Sequence, residues 1–79
     1  MELIVITAER FFEGEPEALH RLFAQGLNRL HVRKPGASQE ETKRFLERID
    51  AAFHPKIVLH DHYELAHRFR LKGIHLNRR

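Results

Sequence analysis

The stretch that decides the fold is Ile57–Leu76, IVLHDHYELAHRFRLKGIHL. It opens on apolar, β-branched residues and runs through His60-Asp61-His62. Leu65 and Phe69 then fall at i, i+4, and after Gly73 the chain returns to an apolar IHL. That pattern reads as strand, short helix, strand. So short a unit leaves no room for a hairpin and requires parallel strands with right-handed crossovers.

The same rhythm extends upstream. LIVIT, residues 3–7, is a continuous apolar run of the kind buried on both faces of a parallel sheet. Gly14 breaks the chain, and Pro16 suits a first helical position. Leu19, Leu22 and Phe23 share a helical face, and Gly26 stops it, giving a helix over 16–25. RLHVR, 29–33, is the second strand, and KPGAS is a turn. Ser38 and Glu41 form a capping box for a helix whose apolar face runs through Phe45, Leu46, Ile49, Ala52 and Phe53. His54-Pro55 ends it, and KIVLH is the third strand. Asp61, with Glu64 three residues on, is placed to cap the third helix. IHL, 74–76, is the fourth strand. The order β-α-β-α-β-α-β makes this an α/β chain, either doubly wound or part of a (β/α)₈ barrel. A barrel needs about 200 residues or more, so residues 1–79 are expected to be one partial domain, or one that oligomerises to close its sheet.

Composition narrows the function. There is no cysteine, hence no disulfide or thiolate metal cluster, and a reducing cytoplasm fits. No apolar run reaches the roughly 18 residues of a membrane span. The opening MELIVIT has no basic leader and reads as going straight into a strand, not as a signal peptide. The net charge is +3, but Lys and Arg are scattered. An anionic small molecule accounts for that charge at least as well as a nucleic acid, and neither nucleic acid nor membrane is expected as a partner.

In parallel α/β folds ligands bind at the carboxyl ends of the strands. Those ends offer Thr7 and Glu9, then His31, Arg33 and Lys34, then His60, Asp61 and His62, and finally His75, Asn77 and Arg78. Cations and imidazoles with one carboxylate suit a phosphate-bearing ligand. Arg grips it bidentately, Lys neutralises it, and a lone Asp can hold Mg²⁺ that bridges to phosphate oxygens. Each residue also has a plainer reading. Arg33 and Lys34 can be solvated strand-end residues, Asp61 a helix cap, and His75 a core histidine. His60 and His62, at i, i+2 on an extended segment, face one side as a zinc clip requires.

Three segments, LIVIT, GLNRLHVRK and IVLHDHYELAHRFRLKGIHL, give the chain a resemblance to the N-terminal half of the thiamine-phosphate synthase family, which includes the thiazole tautomerases. The resemblance implies the first half of a TIM (β/α)₈ barrel. It also implies a transferase of thiamine biosynthesis. That enzyme joins a pyrimidine diphosphate to a thiazole phosphate, releasing pyrophosphate held by Mg²⁺. By position it makes Arg33 the arginine on the pyrophosphate, Asp61 a magnesium ligand, and His75 the fourth-strand histidine. His31 stands in place of a pyrimidine-reading glutamine. His60 replaces an asparagine on the diphosphate, and His62 an arginine. Lys34 stands one residue before the family's lysine. The resemblance therefore implies substrate contacts at His31, Arg33, Lys34 and His60, metal at Asp61, and further candidates at His62 and His75. The 79 residues alone are expected to be inactive. A tautomerase-like or non-catalytic phosphate-binding relative is one alternative. A zinc-dependent barrel hydrolase using His60 and His62 is another.

Overall fold

In the computed structural model, which describes residues 2–76, four parallel strands stand in chain order. They are β1 (Ile4–Ile6), β2 (Arg29–Val32), β3 (Ile57–Leu59) and β4 (Gly73–Ile74). Helices α1 (Glu15–Ala24), α2 (Gln39–Glu47) and α3 (Glu64–Arg68) make the crossovers. Sequential order with every crossover covering one face is how a barrel wall is built. The α/β reading of the sequence is therefore correct.

Register explains which side is the core. Val5 pairs with Leu30, Leu30 with Ile57, and Val32 with Leu59. These residues share the face that packs on Leu19, Phe23, Leu27, Phe45, Leu46 and Leu65. Alternation sends the others to the opposite, inner face. Ile6 pairs with His31, and His31 with Val58. Ile4 and Ile6 are exposed there.

Local rules fix the helix ends. Gly14, at φ 84°, turns the chain into α1, and Pro16 sits in its first turn, where a missing N–H costs nothing. Gly26, at φ 102°, follows its end. The capping box is complete: Ser38 Oγ accepts from Glu41 N at 3.1 Å, and Ser38 N donates to Glu41 Oε1 at 2.9 Å. Removing the hydroxyl in Ser38→Ala is expected to cost about 1 kcal/mol in urea unfolding. The Ser38 backbone N–H, then its hydroxyl bond, lowers the Glu41 pKa. A depressed carboxyl stabilises the fold above its unfolded pKa. That contribution disappears as pH falls through the folded value. The stability difference between the chain and Glu41→Gln should accordingly vanish in acid, below the ordinary carboxylate range.

Three local expectations need correction. The apolar face from Phe45 to Phe53 is not one helix. α2 stops at Glu47, and Ala51–Lys56 forms a separate 3₁₀ helix capped by Asp50, whose side chain accepts from Ala52 N. Phe53 still reaches α1, stacking on Phe23 at 4.5 Å. The N-cap position of α3 falls at Tyr63, two residues beyond Asp61. His62, at φ 56°, turns the chain between Asp61 and the helix, so the Asp-to-Glu spacing is not helical. The fourth strand lies at Gly73–Ile74 instead of 74–76, although His75 N still donates to Leu59 O at 2.8 Å.

Candidate functional site

The carboxyl ends of β1, β2 and β3 are laced together before any ligand is considered. Thr7 N donates to His31 O at 2.9 Å, and Arg33 N donates to Thr7 Oγ1 at 3.1 Å. His60 N donates to Val32 O at 3.1 Å. Thr7 is thus a buried tie between strands. Arg33 leaves β2 with its guanidinium half-exposed and 3.1 Å from Glu9 Oε1.

Lys34 is placed elsewhere. Its side chain is 1% exposed, beneath the β1–α1 loop. Its ammonium bonds Ala8 O at 2.8 Å, Arg10 O at 3.1 Å and Glu15 Oε2 at 2.9 Å. It also lies 4.5 Å from the Phe11 ring centre. All the donors of a lysine are engaged inside the protein. The solvated-turn reading is wrong for this residue, and the strand-end ligand reading gives way to a structural one.

The histidines separate into two groups. His62 Nε2 donates to Ala37 O at 2.8 Å, so its ring braces the β2–α2 loop. The extended geometry that would pair it with His60 is lost at its positive φ. His60 instead meets residues of other strands. His31 Nδ1 and His60 Nε2 are 2.9 Å apart, one donating and the other accepting. The His60 ring stacks on His75 at 4.5 Å, and His31 meets His75 edge-on at 6.0 Å. Parity brings them together: Val58 pairs with His31 and with Gly73, so His60 and His75, two residues further along, share that inner face. The sequence signal was LHV against IHL, which aligned His31 with His75; counting the parity of β3 adds His60.

The pKa values of both facing imidazoles are pushed below the ordinary histidine value. Burial lowers the His31 pKa most, followed by His75 and Arg29. Burial also leads for His60, followed by His75, His31 and Arg33, with Asp61 opposing. Asp61 is half-buried between β3 and α3. Asn77 and Arg78 lie outside the described residues. A groove of about 590 Å³ between the first two strand-end loops is lined by Glu9, Arg10, Phe11 and Glu41. His31, His60 and His75 do not line it.

A singly wound parallel sheet with cationic and imidazole side chains at its carboxyl edge defines a barrel-type α/β chain. The comparisons sharpen that class. The chain is 42% identical to thiamine phosphate pyrophosphorylase from Bacteroides thetaiotaomicron, whose crystal structure it matches with a TM-score of 0.95. The match covers 99% of this chain and 40% of that one, so the chain spans about two-fifths of the length of this solved relative. The resemblance to the thiamine-phosphate synthase family is thereby shown, over part of that protein. No family model matches the chain, and no curated protein does. Among the described residues, no helix is long and apolar enough to cross a membrane.

Proposed function

We infer that this chain supplies the diphosphate-binding side of a thiamine-phosphate synthase-like site. The parent reaction would join a pyrimidine diphosphate to a thiazole phosphate and release pyrophosphate. The observation that carries the reading is the 42% identity over 99% of the chain to a thiamine phosphate pyrophosphorylase. Arg33 grips the pyrophosphate, since its backbone is tied to Thr7 while its side chain is half-exposed and held by the surface carboxylate of Glu9. His31 and His60, adjacent at 2.9 Å, offer hydrogen bonds to the pyrimidine and to a diphosphate oxygen. As the pyrimidine–pyrophosphate bond breaks, negative charge gathers on the leaving group, and the fixed guanidinium stabilises it.

Asp61 would hold Mg²⁺. Its single half-buried carboxylate fits an ion that takes one or two carboxylates and fills its shell with waters and phosphate oxygens. When bound, magnesium neutralises the leaving pyrophosphate.

The chain by itself binds without turnover, because catalysis needs preorganised groups on both sides of the substrate. Calorimetry with pyrophosphate and Mg²⁺ should give saturable binding, while pyrimidine diphosphate plus thiazole phosphate should give no product. Absence of pyrophosphate binding would sink the reading, and product formation would overturn the inactivity. The imidazoles at His31 and His60, in place of the resembling family's amides, favour a second reading as a tautomerase-like or non-catalytic relative. Binding of thiazole phosphate but not of pyrophosphate selects it.

Glu9 occupies Arg33 in the free chain through an exposed pair at 3.1 Å. Such a pair is worth about 0.2–1 kcal/mol. Glu9→Gln also removes a like charge from the approach of an anion. Pyrophosphate affinity should rise about 1.5- to 5-fold, read by the same titration.

A further inference from the structure

We propose that His31, His60 and His75 form a binding site for a borderline divalent cation of the zinc class, with a coordination position left open. One ring nitrogen from each histidine lies within 4.8 Å of one from each of the others. Neighbouring strands in a flat sheet are about 4.8 Å apart, so residues on β2 and beyond β4 would be separated by about twice that. The His31 and His75 rings are 6.0 Å apart instead. The rings therefore converge beyond what strand spacing supplies.

The donor set decides the chemistry. Imidazole suits zinc, copper and nickel, whereas magnesium demands oxygen donors. Zinc–nitrogen bonds of about 2.0–2.1 Å in a tetrahedral shell put ligand nitrogens about 3.3 Å apart. His31 Nδ1 and His60 Nε2 stand at 2.9 Å, so that pair opens by a few tenths of an ångström, and His75 closes in by a rotamer adjustment. One hydrogen now lies between that pair. On metal binding it shifts to the other nitrogen of the same ring, and both facing nitrogens present lone pairs. Three protein nitrogens leave a fourth position for water or an anionic oxygen, the pattern of a reactive site and not of a closed structural one. Burial is graded accordingly, with His60 buried, His31 half-buried and His75 exposed.

The site is independent of the magnesium reading at Asp61, and its test contains no phosphate ligand. The tag-free 79-residue chain is titrated with Zn²⁺ by calorimetry, and with Co²⁺ by visible absorption. One metal per chain is expected, undisturbed by excess Mg²⁺. His31→Gln and His75→Ala should each weaken binding by more than about tenfold, the loss already produced by disturbing a mere outer-shell partner. His67→Ala, on exposed α3 surface, should bind as the parent does. Circular dichroism establishes folding of each variant. His75 is exposed, so its variant decides the matter should a change at His31 disturb the sheet. Lack of saturable zinc or cobalt uptake overturns the proposal. So does unchanged uptake in folded His75→Ala, or an equal loss in His67→Ala.

Discussion

Glu15→Ala is expected to destabilise the chain by about 3–5 kcal/mol, the cost of leaving a buried charge without its partner. For a chain of 79 residues, total stability is roughly 4–12 kcal/mol, so the loss removes a large share of the fold. The cause is specific. The Lys34 and Glu15 side chains are 1% and 3% exposed and 2.9 Å apart. Without Glu15 the ammonium keeps only the carbonyls of Ala8 and Arg10, with the Phe11 ring beside it. Lys34→Met produces the converse fault. The Glu15 carboxylate, whose Oε1 is already buried without a hydrogen bond, loses its cation as well. Ala8 and Arg10 lose the donor that folds the β1–α1 loop over the strand ends. Replacing both, as Lys34→Met with Glu15→Leu, should restore much of the loss, because a well-packed apolar pair often equals a buried ion pair. Urea unfolding of the four proteins gives the coupling energy directly. Single variants that each cost under about 1 kcal/mol would show that water reaches the pair.

That pair marks where sequence reading stopped. The strand pattern and the Ser38–Glu41 box were legible because each depends on residues within a few positions. Lys34 followed by Pro35 and Gly36 has every local mark of a solvated turn. Its burial depends on Glu15, 19 positions upstream, and no local pattern encodes that meeting. His62 failed for a related reason. The i, i+2 rule holds while the backbone is extended, and a single left-handed residue cancels it. The apolar run to Phe53 misled in the opposite way. A 3₁₀ helix after Asp50 returns side chains to nearly the same face, so periodicity cannot distinguish it from a longer helix. The histidine cluster was half legible. His31 and His75 were aligned by their strands, but joining His60 to them required the register of three parallel strands, which exists only once the sheet is assembled.

Arg33→Ala is expected to weaken pyrophosphate binding about 10- to 150-fold, corresponding to the 1.5–3 kcal/mol of a charge-assisted hydrogen bond. Three features make Arg33 the main anion contact. Its backbone N–H is tied to Thr7 Oγ1, which fixes where the side chain leaves the strand. Its side chain is 48% exposed, whereas Lys34, the next residue, is buried and engaged. Its Glu9 partner is exposed on the surface and readily displaced by a doubly charged oxygen cluster. Arg33→Lys should recover only part of the affinity, because an ammonium keeps the charge but not the two parallel N–H donors. Arg48→Ala is the control. It removes the same charge from an exposed arginine at the end of α2, where it faces Glu17 on the helical layer. If binding came only from the net charge of +3, Arg48→Ala and Arg33→Ala would lose affinity equally, and both losses would fade together as salt is raised. A site-specific grip predicts a loss confined to Arg33, with a residual difference between the two variants that survives at high salt.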